Sequence, residues 1–213
     1  MTRVTRFTDR DEAGRLLGAA LAGAVPPDVL VLGLPRGGAV VAAEVARGLG
    51  AAWDVWLVRK LGHPEQPELA IGALAEDGEP VWEEGSAART SVDAAAAQRL
   101  VQSERAELAR RRLAYRGDRP APDLAGRVVV LVDDGVATGS TARAAIRSLR
   151  GAGAAQVVLA VPVASREARR ELSVDADRVF VLSTPRDFRS VGTWYDDFRQ
   201  TTDEEVVALL AAR

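Results

Sequence analysis

The sequence of 213 residues contains no cysteine, one methionine and one histidine, His63. Without cysteine, the chain can form neither disulfides nor thiol nucleophiles nor cysteine-based metal sites. A single histidine excludes a metal site built from several histidines. A Ser-His-Asp triad would depend on His63, which lies in a stretch rich in glycine and proline.

The chain also lacks a long apolar run and a strong charge of either sign. No 18-residue apolar stretch is present and the first residues lack the apolar core of a signal peptide, so we expect a cytoplasmic protein without membrane contact. The net charge of −2 supplies no positive field for nucleic acid. With 47% hydrophobic residues, the chain can bury one core, and we expect a single domain over residues 1–213.

Lysine is almost absent, since Lys60 is the only lysine among 28 basic residues. It stands beside Arg59, directly after a predicted strand that ends at Val58. Open sheets place their sites at the carboxyl ends of strands, and a compact ammonium differs chemically from the guanidinium used elsewhere in the chain. The alternative is chance survival in an arginine-biased sequence, but the position favours a function.

The most informative segment that is present is VVVLVDDGVATGST, residues 128–141. Its apolar, β-branched start predicts a strand buried in a parallel sheet, and the strand ends at Asp133 and Asp134. Carboxylates there can accept hydrogen bonds from a cis-diol, and the start of a helix can bind an anion. The segment therefore predicts a site for a phosphorylated sugar. The loop that leads into the helix consists of Ala137, Thr138, Gly139, Ser140 and Thr141.

A Walker A loop is excluded, because Ser140 and Thr141 stand where that motif has glycine and lysine. The segment instead resembles the phosphoribosyl-pyrophosphate (PRPP) signature of the type I phosphoribosyltransferases. The resemblance implies that Asp133 and Asp134 hold the ribose hydroxyls and that the loop 137–141 wraps the 5′-phosphate. It also implies Mg²⁺, which the substrate holds for the most part and the two aspartates assist.

Two further loops extend the resemblance. The first, Leu34–Gly38, opens a helix with two glycines, which is typical of an anion site or of a plain strand-to-helix turn. The resemblance implies that Arg36, Gly37 and Gly38 contact pyrophosphate. The second begins with Arg59 and Lys60 and resembles the family's mobile catalytic loop, which carries basic residues to the pyrophosphate. We expect residues 61–72 to form a loop that closes over the substrate.

Alternating strands and helices predict an α/β fold with a doubly wound, mainly parallel sheet. Beyond that sheet we expect a flexible loop and hairpin over about 61–83, a long inserted helix over about 92–115, and an irregular C-terminal hood over about 183–200. The first helix is predicted to begin at Thr8 as its N-cap. The predicted strands are Val29–Leu32, Trp53–Val58, the run from Val128, Gln156–Val161 and Arg178–Leu182.

Four of the ten aromatic residues lie between Phe188 and Phe198, in the region that corresponds to the family's base-binding hood. Phe188 and Tyr195 are candidates for stacking a base, with packing of the closing helix as the alternative. Ala137 stands where enzymes for 6-oxopurines usually carry an acidic residue. This departure disfavours hypoxanthine and guanine and leaves adenine-like, pyrimidine and other acceptors open.

The resemblance implies Mg²⁺-dependent transfer of a phosphoribosyl group from PRPP to a small nitrogenous base, with release of pyrophosphate. A PRPP-binding regulator on the same fold is the alternative, and an unrelated nucleotide-binding α/β protein is a more distant one. The acceptor and the oligomeric state stay open, with a homodimer as one possible assembly.

Overall fold

The computed structural model describes residues 6–75, 80–82 and 87–213. Its strands are β1 (Leu30–Gly33), β2 (Ala52–Val55), β3 (Val58–His63), β4 (Gln66–Ala75), β5 (Pro80–Trp82), β6 (Val128–Val132), β7 (Gln156–Val163) and β8 (Arg178–Ser183). Five of them form a parallel sheet in the order β2-β1-β6-β7-β8. The predicted α/β architecture with a mainly parallel sheet is confirmed.

Helices cover both faces of this sheet. They are α1 (Arg10–Leu21), α2 (Gly37–Leu49), α3 (Ala87–Thr90), α4 (Ala94–Arg116), α5 (Ser140–Gly151), α6 (Arg166–Asp175) and α7 (Asp203–Ala211). Alternate residues of β6 face opposite ways: Val130 packs in a cluster with α1, α2, α4 and α7, and Leu131 in a cluster with α5 and α6. No helix in the described ranges is long and apolar enough to cross a membrane.

A second, antiparallel sheet of β3, β4 and β5 replaces part of what the sequence predicts. The predicted strand Trp53–Val58 is present as β2, but its predicted end is wrong, because β2 ends at Val55 and Val58 begins β3. The irregular loop expected over residues 61–72 is wrong as well, since β3 and β4 form a hairpin there, while closure of this segment over the substrate stays a prediction. Leu61, Ile71 and Leu74 are fully buried. The glycine and proline residues between Leu61 and Ile71 are typical of a loop, so the sequence pattern did not reveal this apolar face.

The predicted hairpin over residues 71–83 is present as the antiparallel pair β4 and β5, in which Gly72 lies opposite Trp82. Its turn, Glu76–Glu79, and the predicted end at Glu83 lie outside the described residues. The chain enters the second sheet soon after β2, since β3 begins at Val58.

The long inserted helix is confirmed as α4. Its C-terminal end is attached to β2 by the fully buried side chain of Arg116, whose Nε lies 3.3 Å from an Asp54 oxygen. Arg213 contacts the other oxygen of Asp54 at 2.7 Å. The predicted N-cap of α1 is wrong, because Asp9, and not Thr8, accepts the helix-opening hydrogen bond from the Glu12 amide at 2.8 Å.

Candidate functional site

The acidic pair lies directly after β6, at the carboxyl edge of the main sheet. The Arg10 Nε and Nη2 atoms each lie 2.8 Å from the same oxygen of Asp134, Oδ2. The Asp133 carboxylate accepts a hydrogen bond from the Asp134 amide at 2.9 Å, and Asp133 has no ion-pair partner within the described part of the chain. The pair thus combines one neutralised carboxylate with one that lacks a direct cation partner.

Burial has a strong effect on both acids. Burial, followed by the neighbouring Asp134 carboxylate, raises the pKa of Asp133 well above its ordinary value. Burial also raises the pKa of Asp134, while Arg10 acts in the opposite direction. The protein therefore stabilises the negative charge of Asp133 less than that of Asp134.

The loop that follows the acidic pair leaves the backbone N–H groups at the start of α5 without a side-chain cap. Gly139 is the N-cap residue with φ of 83°, a left-handed conformation that favours glycine, and no side chain caps the helix. The Ser165 hydroxyl donates to the carbonyl of Ala137 at 2.7 Å, which attaches the loop to the start of α6. Thr138 and Thr141 are exposed beside these uncapped N–H groups. This geometry is suited to an anion.

The loop Leu34–Gly38 lies beside the acidic pair, because β1 is the neighbour of β6 in the sheet. The Pro35–Arg36 peptide is cis, and no side chain caps the start of α2. A Cβ atom on Gly37 would lie 1.9 Å from Oδ2 of Asp134, and one on Gly38 would lie 2.9 Å from Oδ1 of Asp133. Only glycine allows α2 to begin this close to the two carboxylates.

Two uncapped helix starts and a half-buried acidic pair thus meet at one edge of the sheet. A family model described as the phosphoribosyl transferase domain matches residues 25–197. The chain belongs to the phosphoribosyltransferase family.

Relatives agree with this assignment. A Mycobacterium tuberculosis (strain H37Rv) protein, named provisionally as a phosphoribosyl transferase, is 48% identical over 204 residues. The match covers 96% of this chain and 46% of the relative, so the chain spans a little under half the length of the curated relatives it matches.

Solved structures show the same fold. The crystal structure of TT1426 from Thermus thermophilus is 48% identical, covers 97% of this chain and 98% of its own, and has a TM-score of 0.88. The AQ2163 protein from Aquifex aeolicus, at 12% identity and a TM-score of 0.50, shares the fold alone and covers 86% of this chain and 78% of its own. The type I phosphoribosyltransferase fold expected from the sequence is confirmed.

The C-terminal hood is attached to the acidic pair through Tyr195. The Tyr195 hydroxyl donates to the carbonyl of Asp134 at 2.5 Å, and its ring packs between those of Phe7 and Phe198. Tyr195 is 2% exposed, so it offers no face to a base, and the expectation that it stacks an acceptor is wrong. Phe188 is half-buried at the edge of the same cluster, and its role as a stacking surface stays a prediction.

Arg59 and Lys60 lie on β3 in the second sheet, and not at the end of a main-sheet strand. Arg59 faces α4, where its Nε lies 2.6 Å from an oxygen of Glu104. Lys60 points to the opposite face, which it shares with Val58, and Val58 packs in the cluster that contains α5. The structure thus separates the two basic residues, and Lys60 is on the face directed towards α5.

Arg36 lies near Asp203 and Tyr115, which the sequence did not indicate as neighbours of the site. Its Nη1 lies 3.8 Å from an oxygen of Asp203, the first residue of α7. The Tyr115 hydroxyl donates to the same carboxylate at 2.6 Å, and this hydrogen bond lowers the pKa of Asp203. Burial, followed by the bond to Asp203, raises the pKa of Tyr115. In the sequence, Asp203 has only the signature of an ordinary helix start.

The residues fit a magnesium site that a substrate completes. Mg²⁺ prefers oxygen ligands and is commonly bound by one or two carboxylates together with substrate phosphates. Asp133 and the Oδ1 atom of Asp134 supply such oxygens, whereas Oδ2 of Asp134 is engaged by Arg10. Among the described residues, no group of three or more His, Cys, Asp or Glu side chains is placed to hold a metal ion alone.

Proposed function

We propose that the protein transfers a phosphoribosyl group from PRPP to a small nitrogenous base and releases pyrophosphate. The observation that carries this proposal is the convergence of the uncapped starts of α2 and α5 on Asp133 and Asp134. One substrate with an anion at each end and a diol between them matches this arrangement. We assign the loop 137–141 to the 5′-phosphate, the acidic pair to the ribose hydroxyls, and Arg36, Gly37 and Gly38 to the pyrophosphate.

In the proposed reaction, a nitrogen of the base forms a bond to the anomeric carbon while the bond to the pyrophosphate oxygen breaks. Positive charge develops on the sugar ring, and the carboxylates of Asp133 and Asp134 stabilise it. Arg36 and Lys60 neutralise the departing pyrophosphate. No protein nucleophile is required, which is consistent with a chain that has no cysteine. The protein acts by positioning and by charge.

The proposed cofactor is Mg²⁺, with Asp133 and Asp134 as the protein residues that assist in holding it. When bound, the ion would act as a Lewis acid on the pyrophosphate. The proposed partners are therefore PRPP, a base and this cation, and we propose no role for nucleic acid or membrane.

For the acceptor, we propose the hood side of the site. A crevice of about 290 Å³ opens there, and Phe198, Gln200 and Thr201 line its hood side. Phe188 remains a candidate stacking surface. Ala137 places no carboxylate at the position where a 6-oxopurine could lose its ring proton. A site discriminates strongly only through the hydrogen bonds that it is built to make, so we expect hypoxanthine and guanine to be poor acceptors.

A panel of purines, pyrimidines and small heterocycles, assayed for PRPP-dependent pyrophosphate release in the presence of Mg²⁺, tests the proposal. We expect turnover with at least one base and little with hypoxanthine or guanine. Robust turnover of hypoxanthine would contradict the interpretation of Ala137. PRPP binding without release for any base would instead support the regulator, and preference for ATP over PRPP would reject both.

Lys60 is expected to act on turnover more than on binding. Because Lys60 lies on the face of β3 that is directed towards α5, whereas Arg59 lies on the opposite face against α4, Lys60 is the candidate for charge stabilisation of pyrophosphate as it departs. Lys60→Arg should lower kcat while the Kd for PRPP changes little, since interactions made mainly in the transition state affect kcat. Arg59→Lys is the matched control on the neighbouring position and should leave kcat closer to that of the wild type. Equal activity of the Lys60→Arg variant would show that the only lysine is a compositional accident.

A further inference from the structure

Arg10 links three parts of the site that are distant in sequence. Two of its nitrogens contact Asp134 Oδ2, and Nη1 donates to the carbonyl of Arg199 in the hood at 2.8 Å. Its guanidinium carbon lies 4.0 Å from the centre of the Phe198 ring. The side chain is 10% exposed, although arginine is seldom buried this deeply unless it is paired. No part of the proposed reaction accounts for these contacts.

The contacts leave Asp134 with one oxygen for a ligand. Oδ2 is surrounded by the Arg10 fork and by the start of α2, where Gly37 has no room for a Cβ. The guanidinium is planar and rigid, so contacts to Asp134 on one side and to Arg199 on the other determine the orientation of both. Oδ1 is the oxygen that remains for a sugar hydroxyl.

From this geometry, and on the basis of the proposed function, we infer that Arg10 is a positioning residue. It orients Asp134 so that Oδ1 faces the ribose, and it couples ribose recognition to the position of the hood. Arg10 does not contact the reacting atoms itself. A shift of the hood at Arg199 or Phe198 would move the guanidinium and with it the carboxylate. Recognition of the sugar hydroxyls and seating of the acceptor would thus depend on one side chain.

The test compares three ligands by titration calorimetry: ribose 5-phosphate, 2-deoxyribose 5-phosphate and inorganic phosphate. Inorganic phosphate reports on anion binding at the uncapped helix starts, and the ratio of the two sugar affinities reports on hydroxyl recognition. In Arg10→Gln we expect the preference for ribose to fall by about tenfold, the effect of losing one charge-assisted hydrogen bond. Inorganic phosphate should bind as in the wild type.

Arg6→Gln is the matched control, because Arg6 also contacts the hood, through the carbonyl of Tyr195 at 2.7 Å and through Asp196, but does not contact Asp134. It should keep the wild-type preference for ribose. Arg10→Lys keeps the positive charge but lacks the planar guanidinium, so its ratio of ribose 5-phosphate to 2-deoxyribose 5-phosphate affinity should be intermediate. This variant also provides the test if Arg10→Gln is unstable. An unchanged ratio in both folded Arg10 variants would overturn the inference. A wild-type protein without preference for ribose would instead reject the proposed function.

Discussion

Asp133→Asn is expected to remove most of the affinity for PRPP while the protein stays folded. A charge-assisted hydrogen bond contributes roughly 1.5–3 kcal/mol, so titration calorimetry should show a Kd that rises by about 10- to 100-fold. Asp133 is the better target of the acidic pair. Asp134→Asn would also leave the buried Arg10 without its carboxylate, and loss of affinity could then follow from misfolding.

The free energy of unfolding of Asp133→Asn is expected to depend on pH differently from that of the wild type. Because burial raises the pKa of Asp133 above 3.8 in the folded protein, the folded state binds the proton more tightly than the unfolded state. Stability from this group is fully present below the unfolded pKa and is lost as the pH rises through the folded pKa. Asparagine does not titrate. The free energy of unfolding of Asp133→Asn should therefore increase relative to wild type as the pH rises.

Urea unfolding between acidic and alkaline pH, with and without PRPP, checks both parts of this prediction. Retained PRPP affinity in a folded Asp133→Asn protein would refute the assignment of Asp133 to the ribose hydroxyls. A large loss of stability at neutral pH would show that Asp133 serves the fold.

Gly37→Ala is expected to have the other large effect. The new Cβ would lie 1.9 Å from Oδ2 of Asp134 and 2.8 Å from Nε of Arg10, so the carboxylate, the guanidinium or the start of α2 must move. Overpacking of this kind costs roughly 1–3 kcal/mol, and the displaced groups are the proposed ribose and pyrophosphate contacts. We expect a lower melting temperature and at least about tenfold weaker PRPP binding.

Gly48→Ala is the matched control in the same helix. Its Cβ would lie 3.6 Å from the nearest atom, which is an ordinary contact, and alanine is favoured over glycine within helices by roughly 0.5–1 kcal/mol. That variant should melt at a higher temperature and bind PRPP as the wild type does. If Gly37→Ala binds PRPP normally, α2 and the acidic pair are less closely coupled than the structure indicates.

Local sequence patterns were sufficient to predict much of the main sheet. The apolar run before Asp133 and Asp134 predicted β6, because a strand buried on both faces needs apolar residues at consecutive positions. The uninterrupted polar and alanine-rich stretch after Val92 predicted α4. The second sheet was harder to predict, because Leu61 and Ile71 are separated by glycine and proline that are typical of a loop. Only pairing of β3 with β4 shows that these side chains belong to the core.

By itself, the sequence determined the order of strand, acidic pair, loop and helix at residues 128–151, and the short glycine loop at Leu34–Gly38. Both are contiguous, so local preference and composition are enough to define them. Only the tertiary structure decided that Arg10 pairs with Asp134, 124 residues away, that Tyr195 is buried, and that Arg59 is paired with Glu104. These partners are brought together by packing of distant elements, and a local pattern carries no information about which side chains will meet.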